Sequence, residues 1–185
     1  MREWLLLTYK MPPEPARLRV SVWRKLKGMG AVYLQSGVCL LPKSDDHLRR
    51  LKVLENEVAG AEGEALLLTT VGLDQKQEAK IIDRFNADRD EEYKELISKC
   101  VAFEAEVAEE TRVKHFTYAE LEENEQEYKK LKSWFEKIQK LDFYKALRGQ
   151  EAIQHLASSE AVLNAYAQNV FAAQEENRGH DAPKT

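Results

Sequence analysis

Five cationic side chains, Arg17, Arg19, Arg24, Lys25 and Lys27, fall in one short stretch that holds no acidic residue. Guanidinium and ammonium groups at that density suit an oxyanion or the phosphates of a polyanion, because each brings charge and several N–H donors. The same stretch carries Leu18, Val22, Leu26 and Met29 at steps of four, four and three, an apolar stripe along one side of a helix. The whole chain has a formal net charge of −4, so the basic helix is local charge separation and not a global bias. For a single Lys or Arg a solvated outer position is the simpler reading, while for the cluster a DNA-phosphate or oxyanion contact weighs evenly against it. Trp23 lies among these cations and, with Val22 and Leu26 beside it, is read as core in preference to a base-stacking platform.

Catalytic patterns fare poorly by comparison. His47, His115, His155 and His180 are dispersed, and none has a cysteine partner at metal-ligand spacing. Glu151 and His155 stand four apart, where a solvent-facing ion pair is the expected outcome and a metal the remote one. Glu122, Glu123, Glu125 and Glu127 read as an exposed helix face. Glycine-rich phosphate loops, nucleophile elbows and Cys/His nucleophile arrangements are missing from the sequence. The expectation is a protein that is not an enzyme and uses neither cofactor nor metal. Cys39 and Cys100 are too few for a disulfide framework and are expected as buried thiols.

The elements that must hold the basic helix are legible around it. Trp4 to Tyr9 is an apolar run stopped by Pro12 and Pro13, and reads as a buried strand. Pro15 suits the first turn of the helix, and Gly28 and Gly30 suit its end. Val32 to Gln35 and Val38 to Leu41 flank Ser36-Gly37, a two-residue hairpin signal. Ser44 followed by Asp45 and Asp46 caps a second helix that runs to Gly60, and residues 64–71 supply a fourth strand. Strand, helix, strand, strand, helix, strand is the ferredoxin-like order of an α+β domain.

The second half is helical. Asp74 and Gln77 resemble a capping box, after which Ile82, Phe85, Tyr93, Leu96, Cys100, Phe103 and Val107 form a seam once Arg89 fills one of its places. A buried Arg89 is costly alone, so it should meet a carboxylate such as Asp88 or Glu92 of a neighbouring copy, or stack on a ring. Thr117 to Glu120 is another capping box, opening a helix with Leu121, Tyr128, Leu131, Phe135 and Ile138. Asp142 to Gly149 reads as a connection. A third helix follows with Ile153, Leu156, Val162, Leu163, Tyr166, Val170 and Phe171. The expected organisation is a ferredoxin-like domain at 1–73, a helical bundle of long antiparallel helices at 74–174 and a disordered tail at 175–185. Charged residues make up 32% of the chain, in keeping with long solvent-facing helices. No apolar run approaches the roughly 20 residues of a membrane span, so a cytoplasmic protein is expected.

Several quoted runs together resemble a known family. Trp4-Leu5-Leu6-Leu7, Arg17 through Lys27, Gly30 through Val38, Leu41-Pro42, Arg84-Phe85-Asn86 with Arg89-Asp90 and Glu92-Tyr93, and Phe116 through Glu125 are similar to the N-terminal domain of the chromate-resistance regulator ChrB. The resemblance covers most of residues 4–172. It implies a cytoplasmic, oligomeric transcriptional regulator that binds DNA and senses chromate, and the domain is also similar to the ferredoxin-like part of phenylacetate-pathway repressors. Full-length relatives carry a second domain, which this chain is expected to do without. The expected partners are DNA, chromate and a second copy of the chain, with Arg17, Arg19, Arg24, Lys25 and Lys27 as the contact residues and Arg89 as a structural charge. The alternative is a non-catalytic oligomerisation module. A third reading, a CRISPR-associated metal nuclease of similar fold, needs an aspartate at the end of the first strand, where this sequence has Thr8-Tyr9-Lys10.

Overall fold

The computed structural model describes residues 1–180. Its elements are β1 (Glu3–Lys10), α1 (Ala16–Gly28), β2 (Val32–Gln35), β3 (Val38–Pro42), α2 (Asp45–Gly60), β4 (Glu64–Val71), α3 (Gln75–Arg112), α4 (Tyr118–Leu141) and α5 (Arg148–His180). The four strands form one antiparallel sheet in the spatial order β2-β3-β1-β4. With two helices inserted between strands, this is the expected ferredoxin-like α+β arrangement.

The chain divides into two compact units, Met1–Asp88 with Leu141–Ala146, and Arg89–Lys140 with the residues from Leu147 onward. The first unit thus extends beyond residue 73 and takes in both the start of α3 and part of the segment read as a connection.

In the first unit one face of the sheet is covered by α1 and α2 and the other is covered in part. Leu5 and Leu7 of β1, with Cys39 and Leu41 of β3, point to one face and pack with Val22 and Leu26 of α1, Met29 at its C-cap, and Leu51, Leu54 and Val58 of α2. Strand residues alternate sides, so Trp4 and Leu40 go to the other face, where they cluster with Val32 and Phe85. Phe143 and Tyr144 pack there too, and the Trp4 indole donates to the Tyr144 hydroxyl at 2.9 Å. Two glycines combine a positive φ with a close approach. Gly30 has φ +83°, and a Cβ on it would come within 2.8 Å of the Phe143 ring. Gly37 has φ +71° in the β2–β3 turn and lies against the Tyr9 carbonyl, while its own carbonyl accepts from Tyr9 N at 2.7 Å.

In the second unit, Arg89, Tyr93, Leu96, Cys100, Phe103 and Val107 are buried along α3, as the seam requires. Arg89, 4% exposed, lies 3.2 Å from Glu92 Oε2. That carboxylate belongs to the same helix, three residues on, and its own side chain stays 41% exposed while the guanidinium is buried. Along α5 the buried side is Ala152, Leu156, Ser159, Leu163, Tyr166 and Val170. Ile153 and Phe171, expected in that stripe, are 43% and 50% exposed because each lies one position, about 100°, off the seam. Ser159 fits in the seam by donating to Glu104 Oε1 at 2.9 Å, and buried Asn124 of α4 donates to Glu110 Oε2 at 2.6 Å. Where a tail was expected from residue 175, α5 continues to His180; residues 181–185 lie outside the described ones. Among the described residues no helix is long and apolar enough to cross a membrane.

Candidate anion-binding face and cleft of the first unit

Helix α1 is anchored by its apolar side. Val22, Leu26 and Met29 are at most 5% exposed, burial that at about 25 cal/mol per Å² makes the stripe the reason this helix stays on the sheet. Its start is plain: Pro15 occupies the N-cap with no side-chain hydrogen bond, and the first turn holds no acidic residue. The positive end of the helix dipole is therefore left without a carboxylate of its own, next to Arg17 and Arg19.

The five cations separate into three environments. Lys25 is held in an ion pair by Glu57 of α2, and Lys27 Nζ lies 3.2 Å from Asp88 Oδ2 on α3. Arg17 and Arg24, seven residues apart and so on the same side of α1, are exposed and take no carboxylate partner among the described residues. Arg19 and Trp23, four apart, share another flank. Trp23 is 49% exposed, which corrects its reading as core: the buried stripe passes through Val22 and Leu26, and the next position turns the indole away from it.

On that flank Arg19 and Trp23 look across an open cleft of about 710 Å³ onto Tyr9 and Lys10 of β1 and Tyr33 of β2, with Met11 and the β2–β3 turn closing it. The Tyr9 and Tyr33 hydroxyls are 2.7 Å apart. Burial raises the pKa of both phenols, so both are protonated at neutral pH. Two hydroxyls sharing one hydrogen bond leave one O–H proton uncommitted. Sequence reasoning missed Tyr9, Lys10 and Tyr33. The one local signal was the Arg19–Trp23 spacing, a cation and a large ring on one helix flank.

Elsewhere, the histidine and cysteine positions have structural settings. His47, expected merely as a dispersed residue, is buried, and its Nδ1 is 2.8 Å from the Pro42 carbonyl. Glu151 pairs with Arg148 at 3.3 Å, not with His155 as expected, because Arg148 lies a turn earlier with a longer reach. Cys39 and Cys100 are free and buried, and burial pushes the Cys39 thiol up to about 12. Among the described residues no group of three or more His, Cys, Asp or Glu is placed to hold a metal ion.

Over residues 19–177 the chain matches the family described as Protein ChrB, N-terminal. The chain belongs to this ChrB family. The match takes in α1 from Arg19, both later strands of the hairpin and most of the helical unit, in line with the resemblance drawn from the sequence runs. Protein ChrB of Cupriavidus metallidurans (strain CH34) is 34% identical over 92 residues, a segment covering 50% of this chain and 28% of that protein. The chain thus matches well under two thirds of that ChrB relative's length. No solved structure matches the chain.

Proposed function

We propose that this ChrB-family chain serves chromate resistance as a transcriptional regulator, contacting DNA phosphates through the outer ridge of α1. The carrying observation is the pair Arg17 and Arg24, exposed and without a carboxylate partner at the uncapped end and middle of a helix that is otherwise well anchored. Lys25 and Lys27, committed to Glu57 and Asp88, contribute less. Arg19 flanks the ridge. Each phosphate contact is sequence-independent and releases condensed counterions, so binding weakens steeply with salt. A tetrahedral dianion such as chromate suits the same guanidinium chemistry, and its effect on the complex is part of the proposal.

The test is DNA retardation over a salt series. Replacing Arg17 and Arg24 with alanine is expected to lower affinity and to flatten the log-affinity against log-salt slope by about 2, near one per lost phosphate contact. Thermal stability should stay within about 0.5 kcal/mol, as for exposed sites generally. Unchanged affinity and slope in the double variant would remove the ridge as the DNA surface. Chromate added to the wild-type complex should release DNA at constant ionic strength.

A second reading, self-association without DNA, draws on β4. This edge strand exposes Leu66 and Leu68, 54% and 46%, on the side of the sheet that carries Trp4. Concentration-dependent mass without any DNA retardation would favour it. A homodimeric regulator would show both.

A further inference from the structure

The cleft beside α1 has a composition that phosphate-backbone contact does not account for. A bare oxyanion or backbone phosphate needs donors and little space, whereas a volume of about 710 Å³ lies in the range of pockets that take a small organic molecule. Trp23 presents its indole there at 49% exposure, and large aromatic rings left in water next to a cavity mark recognition surfaces. Two cations from different elements, Arg19 of α1 and Lys10 at the end of β1, line the same space, and neither pairs with a carboxylate among the described residues. Glu64 is opposite Lys10 in the β1–β4 register but makes no ion pair with it. Tyr9 and Tyr33 add one free hydroxyl proton, and the turn at Ser36 and Gly37 adds main-chain polar groups at the rim. The positions are held: Tyr9 N is bonded to the Gly37 carbonyl, and β1 is paired on both sides.

We propose that this cleft is a binding site for a nucleoside monophosphate, with the planar base on the Trp23 indole, the phosphate dianion between Arg19 and Lys10, and the Tyr9–Tyr33 pair meeting the sugar or base edge. A ring alone would leave both cations unused, and an inorganic anion would leave the indole and most of the volume unused. A phosphorylated nucleoside uses all three features at once. Stacking on an aromatic side chain is tolerant of base identity, so the site reads the class of ligand more than a particular base.

The site is separable from the DNA ridge, since Arg17 and Arg24 lie on another side of α1. The test is calorimetric titration of the full chain with AMP, adenosine and inorganic phosphate as probes. AMP is expected to bind the wild type and to quench tryptophan emission, because Trp23 is the most exposed of the three tryptophans. Trp23→Ala should weaken AMP by about tenfold or more, and Trp23→Phe should retain most of the affinity. Arg19→Gln should weaken AMP by about tenfold while leaving adenosine unchanged. Both substituted side chains are exposed, and unaltered melting curves establish that each variant is folded. No heat with AMP at millimolar concentration overturns the proposal. So does equal binding of AMP by the wild type and Trp23→Ala, equal competition by inorganic phosphate alone, or Trp23-dependent binding seen only with oligonucleotides. DNA retardation by the same variants reports on the ridge independently.

Discussion

Helices α1 and α2 cover the same face of the same sheet and bury stripes of the same kind, yet they begin in opposite ways. Ser44 caps α2 by accepting from His47 N at 3.1 Å, and Asp45 and Asp46 occupy its first turn. Arg49 and Arg50 then fold back on Asp46 at 2.5 and 3.6 Å. Helix α1 starts on Pro15 with neither a side-chain cap nor an acidic residue, and puts Arg17 and Arg19 where the dipole disfavours cations. One helix has its charges matched internally. The other tolerates a local conflict, the kind of inconsistency that natural sequences concentrate at functional positions. The difference teaches where to look for a partner: at the end of the scaffold whose electrostatics is left open.

The comparison can be tested from its strongest term downward. The buried stripes should be equivalent, so Leu26→Ala in α1 and Leu51→Ala in α2 should each cost about 2–5 kcal/mol in denaturant unfolding. A cost for Leu26→Ala well below that range would mean α1 is not anchored as a core helix. The caps should differ. Ser44→Ala is expected to destabilise by about 1 kcal/mol, whereas α1 has no side-chain cap to lose. The smallest effect is the most discriminating: Arg17→Glu places an acid in the first turn of α1 and should raise stability by about 0.3–1 kcal/mol while lowering DNA affinity. Lower stability with retained DNA binding would invert the argument about α1.

The ferredoxin-like order was readable because each element announces itself locally. Ser44, Asp74 and Thr117 all cap as their spacing suggested, with Gln77 N donating to Asp74 Oδ1 at 2.8 Å and Glu120 N to Thr117 Oγ1 at 3.2 Å. Ser36-Gly37 sits in the tight turn between β2 and β3. The α3 seam held through Arg89. What the sequence could not disclose was pairing over distance: Lys25 finds Glu57 32 residues away, and Lys27 finds Asp88 61 residues away. No local pattern encodes such partners. The same holds for the cleft, whose walls come from β1, α1 and the hairpin and meet only after the sheet forms. Trp23 was misjudged for a simpler reason, since a large ring one position from a buried stripe still faces outward. On α5, Leu156, Leu163, Tyr166 and Val170 are buried as hydrophobicity indicates, while the small Ala152 and Ser159 complete the seam and Ile153 and Phe171 turn out of it.

The return of residues 141–146 to the first unit has a consequence for how the protein can be made and cut. Phe143 and Tyr144 close over Gly30, His47 and Phe85, although they follow the whole of α4 in the chain. A ribosome will have released the sheet, both covering helices and most of the later helical hairpin before these two rings emerge. Until then the second face of the sheet has only the cover that the start of α3 brings, Phe85 above all, and a fragment truncated after α2 or β4 would receive neither that ring nor the two later ones.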